Sequence, residues 1–464
     1  MQKEICFIEA KSPGAHVFSA FPIPRLGTVL LATILQGIGY RTRVFIEDVE
    51  PPDWKEVDSY QIIGISTITS TAPRAYKLAD RLRARGKTVI MGGPHVTFMP
   101  DEALGHCDFV VRGEGEHTVV ELLRAIEENA SFEDIKGLSF NSPAGPVHNA
   151  ARELIADLDP YPAPDFSLVQ GWSPKVILPI ATSRGCPFEC RFCSVIHMFG
   201  RKYRFKSLGK IIEELNAARS GSFVFFIDDN FTANKKRTKE LLRRIIALGL
   251  NFNWSAQVRS DAAADPELLD LMKRSGCENV FIGFESVNEK TLELFNKKQG
   301  VDDIIRAVEA FHARKIRIHG MFVFGSDMDD AAAIRETQLF ARKMHLESVQ
   351  FLILTPLPGT PVYDEFKEHG RLLHSDWSKY DAQHTVYRPA LMSPSELQRE
   401  TFKAMAKFYS WSKIFRHISR LNFYCGMLGL YGKRAVKKGR ADSEKYLREM
   451  KELMNLPPLK PHKK

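Results

Sequence analysis

The 464-residue chain has no run of about 18 apolar residues, which excludes a membrane-spanning helix. Its first residues, MQKEICFIEAKSPG, lack a charged segment followed by an apolar stretch, so no secretory signal is expected. No internal repeat or low-complexity tract is present. With 44% hydrophobic and 26% charged residues, disorder, collagen and coiled coil are excluded as whole-chain descriptions. Cysteine is sparse, at seven: Cys6, Cys107, Cys186, Cys190, Cys193, Cys277 and Cys425. An odd number with three bunched together makes no disulfide framework and fits a reducing cytoplasm and one metal site.

The net charge of +9 is unevenly placed. Residues 401–464 hold 16 Lys and Arg against 4 Asp and Glu, which leaves 49 basic against 52 acidic residues elsewhere. The basic character belongs to the tail, so no nucleic-acid partner is expected for the body.

The length suggests roughly two to four domains. Residues 1–140 alternate short β-rich runs (ICFIEA, RTRVFIED, QIIGIS, KTVIMGG, DFVVRG) with amphipathic segments over 27–35, 75–85 and 117–127. Unalternated apolar strands between helices predict a parallel, doubly wound α/β sheet. Residues 141–174, rich in Pro, Gly and Ser, read as a linker. Over 175–356 a second series follows: VILPIATS, SFVFFIDD, NWSAQV, NVFIGFES, IRIHGMFVFG and VQFLILTP, separated by helical stretches including 208–220 and 235–248. Six βα units make a partial barrel, whose ligands sit at the C-terminal strand ends. Residues 357–464 form a mostly helical extension.

The segment SRGCPFECRFCS, directly after the first barrel strand, spaces Cys186, Cys190 and Cys193 as C-x3-C-x2-C. Thiolates suit soft metals, and three on one tight loop can hold three irons of a four-iron cluster, leaving the fourth open. On spacing alone, a zinc knuckle completed by a residue such as His197 is the structural alternative.

Triad and partial barrel together resemble the radical S-adenosylmethionine (SAM) enzymes. The resemblance implies that Cys186, Cys190 and Cys193 bind a [4Fe–4S] cluster, with Phe192 as the usual aromatic before the third cysteine. The cluster's unique iron is then chelated by SAM, which is cleaved to a 5′-deoxyadenosyl radical. It further implies that Asp228 and Asp229 accept from the SAM ammonium, that Gln257 and Arg259 reach its ribose and carboxylate, and that Gly283, Glu285 and Ser286 lie beside the adenosine, with 321–324 packing on adenine. Each has a plainer alternative: a strand-end Asp capping the next helix, or Arg259 pairing with Asp261.

In the N-terminal region, IIGISTIT, MGGPHVTFMP and VVRGEGEHT put glycines at three successive strand ends, where open α/β sheets bind ligands. Singly, such glycines merely make turns. As a set they resemble the cobalamin-binding domain fused ahead of many radical SAM enzymes. The residues carried over are Gly64, Ser66, Thr67, Gly92, Gly93, Pro94, His95, Gly113, Glu114, Gly115 and Glu116. One departure stands out. The segment VFIEDVEPPDW lacks the Asp-x-His-x-x-Gly histidine, so no histidine ligand to cobalt comes from that loop; cobalamin then binds with no protein ligand or a non-histidine one, or the domain has kept the fold and lost the corrin, and His95 reads better as a tail or second-domain contact.

The order TPLPGTPVYDEF then GRLLHSDWSKYDAQHTVYRP resembles the extension of one subgroup of these enzymes. Over 401–440, Phe402, Met405, Phe408, Trp411, Phe415 and Ile418 recur at helical spacing among Lys403, Lys407, Lys413, Arg416 and Arg420. Two readings follow: a helix packed on the barrel with a solvated basic face, or an interfacial helix on an anionic membrane.

The expected function is cobalamin-dependent radical methylation of an unactivated carbon in a lipid or pigment-like substrate. A flavodoxin- or ferredoxin-type donor would supply electrons, in the cytoplasm or at the inner face of the membrane. The alternatives are radical cyclisation, rearrangement or C–C coupling, and, outside catalysis, a SAM- or corrin-binding sensor.

Overall fold

A computed structural model describes residues 3–12, 14, 23–172, 177–216, 223–419 and 421–459. In the N-terminal unit, strands β1 (Glu4–Glu9), β2 (Arg41–Ile46), β3 (Ile62–Ser66), β4 (Thr88–Gly92) and β5 (Phe109–Val111) are parallel, in the order β2-β1-β3-β4-β5. Their runs are apolar on both faces because helices cover both; β1 is buried at all six positions. The helix Ala72–Arg83 shows the cause: it buries Ala75, Tyr76, Leu78, Ala79 and Leu82 at helical spacing. The strand order reverses beside β1, which opens a crevice at the C-terminal strand ends.

The sheet is longer than the sequence suggests. Strands β6 (Leu138–Ser142) and β7 (Gly145–His148) add an antiparallel hairpin to β5, so residues 141–148, read as linker, are part of this sheet. The hairpin covers an edge that would otherwise expose backbone donors and acceptors. Its polar composition, NSPAGP, hid it.

The second unit contains β8 (Ile177–Ile180), a short antiparallel ladder of β9 (Ser183–Arg184) with β10 (Arg204–Phe205), then β11 (Phe223–Phe226), β12 (Asn253–Val258), β13 (Cys277–Glu285), β14 (Arg317–Phe324) and β15 (Ser348–Ile353). Six of these, β8 and β11 to β15, pair in parallel in sequence order, the partial barrel anticipated. The end of the helix expected over 208–220, from residue 217 on, lies outside the described residues. Alternation decides what faces the barrel interior. Phe225, Gln257, Gly283, Met321 and Gln350 are half-buried, whereas their neighbours Phe226, Ala256, Ile282, Phe322 and Phe351 are buried. Of the segment expected to pack on adenine, only Met321 is on the half-buried side; Phe322 and Phe324 belong to the aromatic core around Phe351.

The tail departs from the expected single helix. Helices Pro394–Phe408, Trp411–Ser419 and Phe423–Glu449 replace it. Tyr409 causes the first break: its buried hydroxyl donates to Val349 O (2.7 Å) and accepts from Val349 N (3.1 Å), which ties the chain to β15. The long third helix crosses this point at Gly432, where a Cβ would meet the Tyr409 ring at 2.4 Å. Lys413 is not on a solvated face. Its Nζ donates to Leu346 O at 2.8 Å and lies 3.3 Å from the Phe408 ring centroid. Arg420 lies outside the described residues.

Candidate active site between the two sheets

The chain leaves β8 and reaches the cysteines through Gly185, at φ +89, where a Cβ would meet Lys202 O at 2.6 Å. Cys186 N donates to Gly200 O (3.1 Å) and Cys193 N to Cys190 O (3.0 Å), so the loop is closed at its base and turned at its tip. All three thiols are free. Burial pushes the Cys190 thiol up, opposed by the Lys297 and Arg259 charges, and pushes Cys193 up to about 12. Tyr203 Oη donates to Cys186 Sγ at 3.9 Å. Among the described residues no three His, Cys, Asp or Glu side chains converge on one point. Three soft donors carried round one loop fit a polynuclear cluster, which takes one thiolate per iron.

The strand-end residues divide by what they touch. Asp228 is buried and already engaged: it accepts from Thr182 N (3.0 Å), Thr182 Oγ1 (2.9 Å) and Ser183 Oγ. It therefore braces the start of the cysteine loop, which takes up three of its roughly four acceptor sites. Burial raises its pKa against those hydrogen bonds. Asp229 instead opens into the cavity described below with its side chain exposed to solvent, and the surrounding protein together with the Asp228 charge raises its pKa to about 6. Gln257 sits half-buried on β12. Arg259 lies 3.7 Å from the ring centroid of Phe188, inside the cysteine loop, and 3.6 Å from Asp261, the plainer pairing weighed above. Phe192 packs edge-on against Phe295, centroids 5.0 Å apart.

Glu285, at φ +63, pairs with Lys297 Nζ at 2.7 Å in a buried contact. A Cβ on Gly283 would meet that carboxylate at 2.3 Å, so a larger residue there would displace the Glu285–Lys297 pair. Ser286 Oγ accepts from Asn288 N (3.0 Å), a local turn bond. Lys297, Phe188 and Tyr203 are neighbours of the triad that the sequence reading missed. They lie in loops whose spacing carries no signal.

On the other side, a cavity of about 450 Å³ opens where the ends of β3, β4 and β5 face the barrel. Gly64, Ser66, Gly92, Gly93, Pro94 and 113–116 line it from one sheet, Ser183, Arg184, Asp228 and Asp229 from the other, and Tyr161, Pro162 and Pro164 from the connecting segment. Its depth is apolar, with Phe7, Leu30, Leu31, Val111 and Val119. Glycine is required at Gly93 (φ +102), where a Cβ would meet Thr67 O at 2.4 Å. The glycine-bearing strand ends and the apolar walls fit a planar, bulky group. No histidine is among its described lining residues, and none of residues 44–54 reaches it.

Two of the residues carried over are elsewhere. Thr67 is buried against Thr71 and Ile68 O. His95 is buried outside the cavity, with Nε2 3.4 Å from Glu102 and its ring 5.1 Å from that of Trp377 in the extension. This is a contact to the C-terminal extension, made from the short helix Pro94–Phe98.

Glu114 and Glu116 face the barrel as well as the cavity. Arg204 Nη1 donates to Glu114 Oε2 (2.7 Å), while Arg184 reaches Glu114 (2.9 Å) and Glu116 (2.5 Å). Both arginines belong to the β9–β10 ladder that brackets the cysteine loop.

A cysteine loop after the first strand of a six-stranded partial barrel, sharing one cavity with glycine strand ends of a doubly wound sheet, defines a radical SAM enzyme of the corrin-binding type. A Radical SAM superfamily profile matches residues 180–371, and a B12 binding domain profile matches residues 19–123. The bacteriochlorophyllide d C-12(1)-methyltransferase of Chlorobaculum tepidum is 31% identical over 382 residues, 80% of this chain and 79% of that protein. The hopanoid C-3 methylase of Methylococcus capsulatus is 26% identical over 416 residues, 83% and 76% of the two chains. The solved cobalamin-dependent SAM radical enzyme OxsB with aqua-cobalamin bound shares the fold, with TM-score 0.69 at 16% identity over 97% of this chain and 75% of that one. The chain belongs to the radical SAM enzymes with a cobalamin-binding domain, the class B methyltransferase-like family, and its cofactors are a [4Fe–4S] cluster, SAM and cobalamin.

Proposed function

We propose that this protein methylates an unactivated carbon of an apolar small molecule, of the lipid or pigment kind on which its relatives act. The observation that supports this best is the single cavity shared by Gly92–Gly93–Pro94 of the corrin side and Ser183, Arg184 and Asp229 of the barrel side. When bound, the cluster supplies the electron that opens SAM to a 5′-deoxyadenosyl radical, and cobalamin carries the methyl group to be transferred. The chain's own work is placement. Cys186, Cys190 and Cys193 hold the irons, Lys297 and Arg259 offset thiolate charge, and Asp229 is the acceptor left open for the SAM ammonium once Asp228 is committed to the loop. The glycine floor admits the corrin, and the apolar walls keep water from the radical. Electrons come from a flavodoxin- or ferredoxin-type donor.

Anaerobically reconstituted protein is expected to hold one cubane of iron and sulfide. The C186A/C190A/C193A variant should lose both its iron and SAM cleavage. With reductant, SAM and hydroxocobalamin, the product should be heavier by one CH2. A product lighter by H2 would assign coupling or cyclisation instead.

We further propose a peripheral membrane contact through the turn joining the helices Trp411–Ser419 and Phe423–Glu449. Trp411, Phe415, Ile418, Leu421, Phe423 and Met427 are exposed there, Phe415 by 63% and Leu421 by 76%. Each such side chain gains about 1.5–3 kcal/mol when fully buried. Lys433, 5.0 Å from the Trp411 ring centroid, and the exposed Arg416 supply cations beside them. No helix among the described residues is long and apolar enough to cross a membrane. Co-sedimentation with phosphatidylglycerol vesicles should exceed that with phosphatidylcholine, weaken in salt, and fall in F415S/L421S. Equal behaviour with both lipids overturns the contact.

A further inference from the structure

A second cavity, of about 400 Å³, lies beside the first and shares Ile68 and Pro94 with it. It is bounded by Ser194, next after Cys193, by Gln350 and Leu352 of β15, and by the extension loop from Tyr380 to Gln383. It therefore adjoins both the corrin side and the cluster side. The extension loop is fixed in place: Ala382 holds φ +61, and its carbonyl accepts from Ile353 N at 2.8 Å. Behind it, the buried Gln398 accepts from Thr385 N (2.7 Å) and donates to Gln383 O (2.9 Å).

The charge of this wall is one-sided. Among its described lining residues Asp381 is the one charged side chain. The Asp381 carboxylate accepts from Gln383 N (2.9 Å), His384 N (3.1 Å) and His384 Nδ1 (3.0 Å), which fixes it as an acceptor. His384 does not cancel the charge, because Asp442 stands 3.3 Å from its other nitrogen; even with a protonated imidazole the trio stays net negative. Both carboxylates face the same backbone: a Cβ on Gly14 would lie 4.0 Å from Asp381 Oδ2 and 3.9 Å from Asp442 Oδ2. The rest of the wall is apolar (Phe98, Leu352, Leu357) or neutral and hydrogen-bonding (Ser70, Thr355, Gln350). An anionic group entering here meets a fixed negative charge and, among the described lining residues, no cation to pair with. A hydroxyl finds acceptors and donors.

We propose that this cavity receives the reacting part of the substrate and that Asp381 is a specificity-determining residue, selecting an uncharged, hydroxyl-bearing apolar molecule against its carboxylated counterpart. The inference rests on the methyl-transfer reading only for the name "substrate"; the charge selection itself is a binding property and is tested without turnover.

The probes are betulin and betulinic acid, which share one pentacyclic skeleton and differ as CH2OH against COO⁻. Binding is measured in detergent micelles by equilibrium dialysis against reconstituted, unreduced enzyme, so failed chemistry cannot mask the result. Betulin should bind at least tenfold more tightly than the acid. Asp381→Asn should narrow that ratio at least fivefold, mainly by improving the acid. Because Asp381 also anchors its loop, Ser70→Lys provides a second variant that leaves it intact and should likewise recruit the acid. Equal or tighter binding of the acid by the parent enzyme, a ratio unmoved in both variants, or no binding of either probe overturns the proposal. If the selection holds while the product of turnover lacks the added CH2, the methyl-transfer reading fails and the charge selection stands.

Discussion

Arg204 Nη1 and Glu114 Oε2 meet at 2.7 Å across the junction of the two sheets, both side chains buried, 90 residues apart in the chain. Burial would raise the Glu114 carboxyl, but Arg204 and Arg184 hold it below its usual range. Burial would likewise lower Arg184, and Glu116 and Glu114 keep it raised. The corrin-side loop and the base of the cysteine loop are thus one ionic unit. Glu114→Gln leaves Arg204 buried without its counter-charge and should cost about 3–5 kcal/mol of apparent stability. Iron content after reconstitution should fall with it. Thermal melts and iron assay check this; unchanged iron content would show that the cysteine loop holds its shape without the pair.

The corrin floor is tested by two glycines that differ in surroundings. Gly93 (φ +102) leaves no room for a Cβ beside Thr67 O, whereas Gly86 (φ +74) has nothing within 4 Å. Both alanine variants carry the strain of a left-handed residue, about 1–2 kcal/mol. Gly93→Ala should lose hydroxocobalamin binding by on the order of tenfold or more, since the clash adds to that strain. Gly86→Ala should keep it. The bound spectrum should lack the signature of histidine on cobalt, because no described lining residue is histidine.

Asp229 gives a pH dependence of definite sign. Its pKa is raised by the desolvating surroundings of the cavity and by Asp228, from 3.8 to about 6, and solvent at the exposed carboxylate keeps the resulting stability effect small. The folded protein therefore holds this proton through the window from about 4 to 6, and loses stability relative to the unfolded chain as pH rises through it. Asp229→Asn removes that loss, so its melting temperature should exceed that of the parent at pH 7 and not at pH 4. Its affinity for SAM should move the other way, falling on the order of tenfold at pH 7. Parent enzyme should itself bind SAM more weakly below pH 6, measured by equilibrium dialysis.

Lys413 predicts a second pH effect. Burial lowers its pKa from 10.5 to about 7. The unfolded chain binds the extra proton between those values, so stability should rise as pH climbs from 7 to 10. Lys413→Met removes the ionisable group. The difference in melting temperature between Lys413→Met and the parent should shrink over that range. A difference that does not change with pH would place the ammonium in solvent.

Much of the architecture was legible because it is written in local patterns. Apolar runs bounded by turn residues marked all six barrel strands and the five parallel strands of the first sheet. The cysteine spacing is a property of one loop, and glycine marks strand ends by its own backbone freedom. The β6–β7 hairpin was missed because its residues are polar and few. The three-helix tail was missed because Tyr409 breaks the periodicity by a hydrogen bond to β15, 60 residues earlier.

Amino-acid order sets which chemistry the chain carries: three thiols on one loop, glycines at successive strand ends, and a basic, aromatic tail. Tertiary structure alone decided how neighbours in sequence divide their work. Asp228 and Asp229 are adjacent and both border the cavity, yet the first is bound by Thr182 and Ser183 while the second keeps its carboxylate open. His95 stands next to Pro94, yet only the proline lines the cavity. Lys413 sits among exposed basic residues and points inward to Leu346 O. The physical reason is common to all three. Residue type and spacing set what a side chain can bind, but its partner is chosen by burial against elements dozens of residues away, and local sequence carries no record of which face those elements will cover.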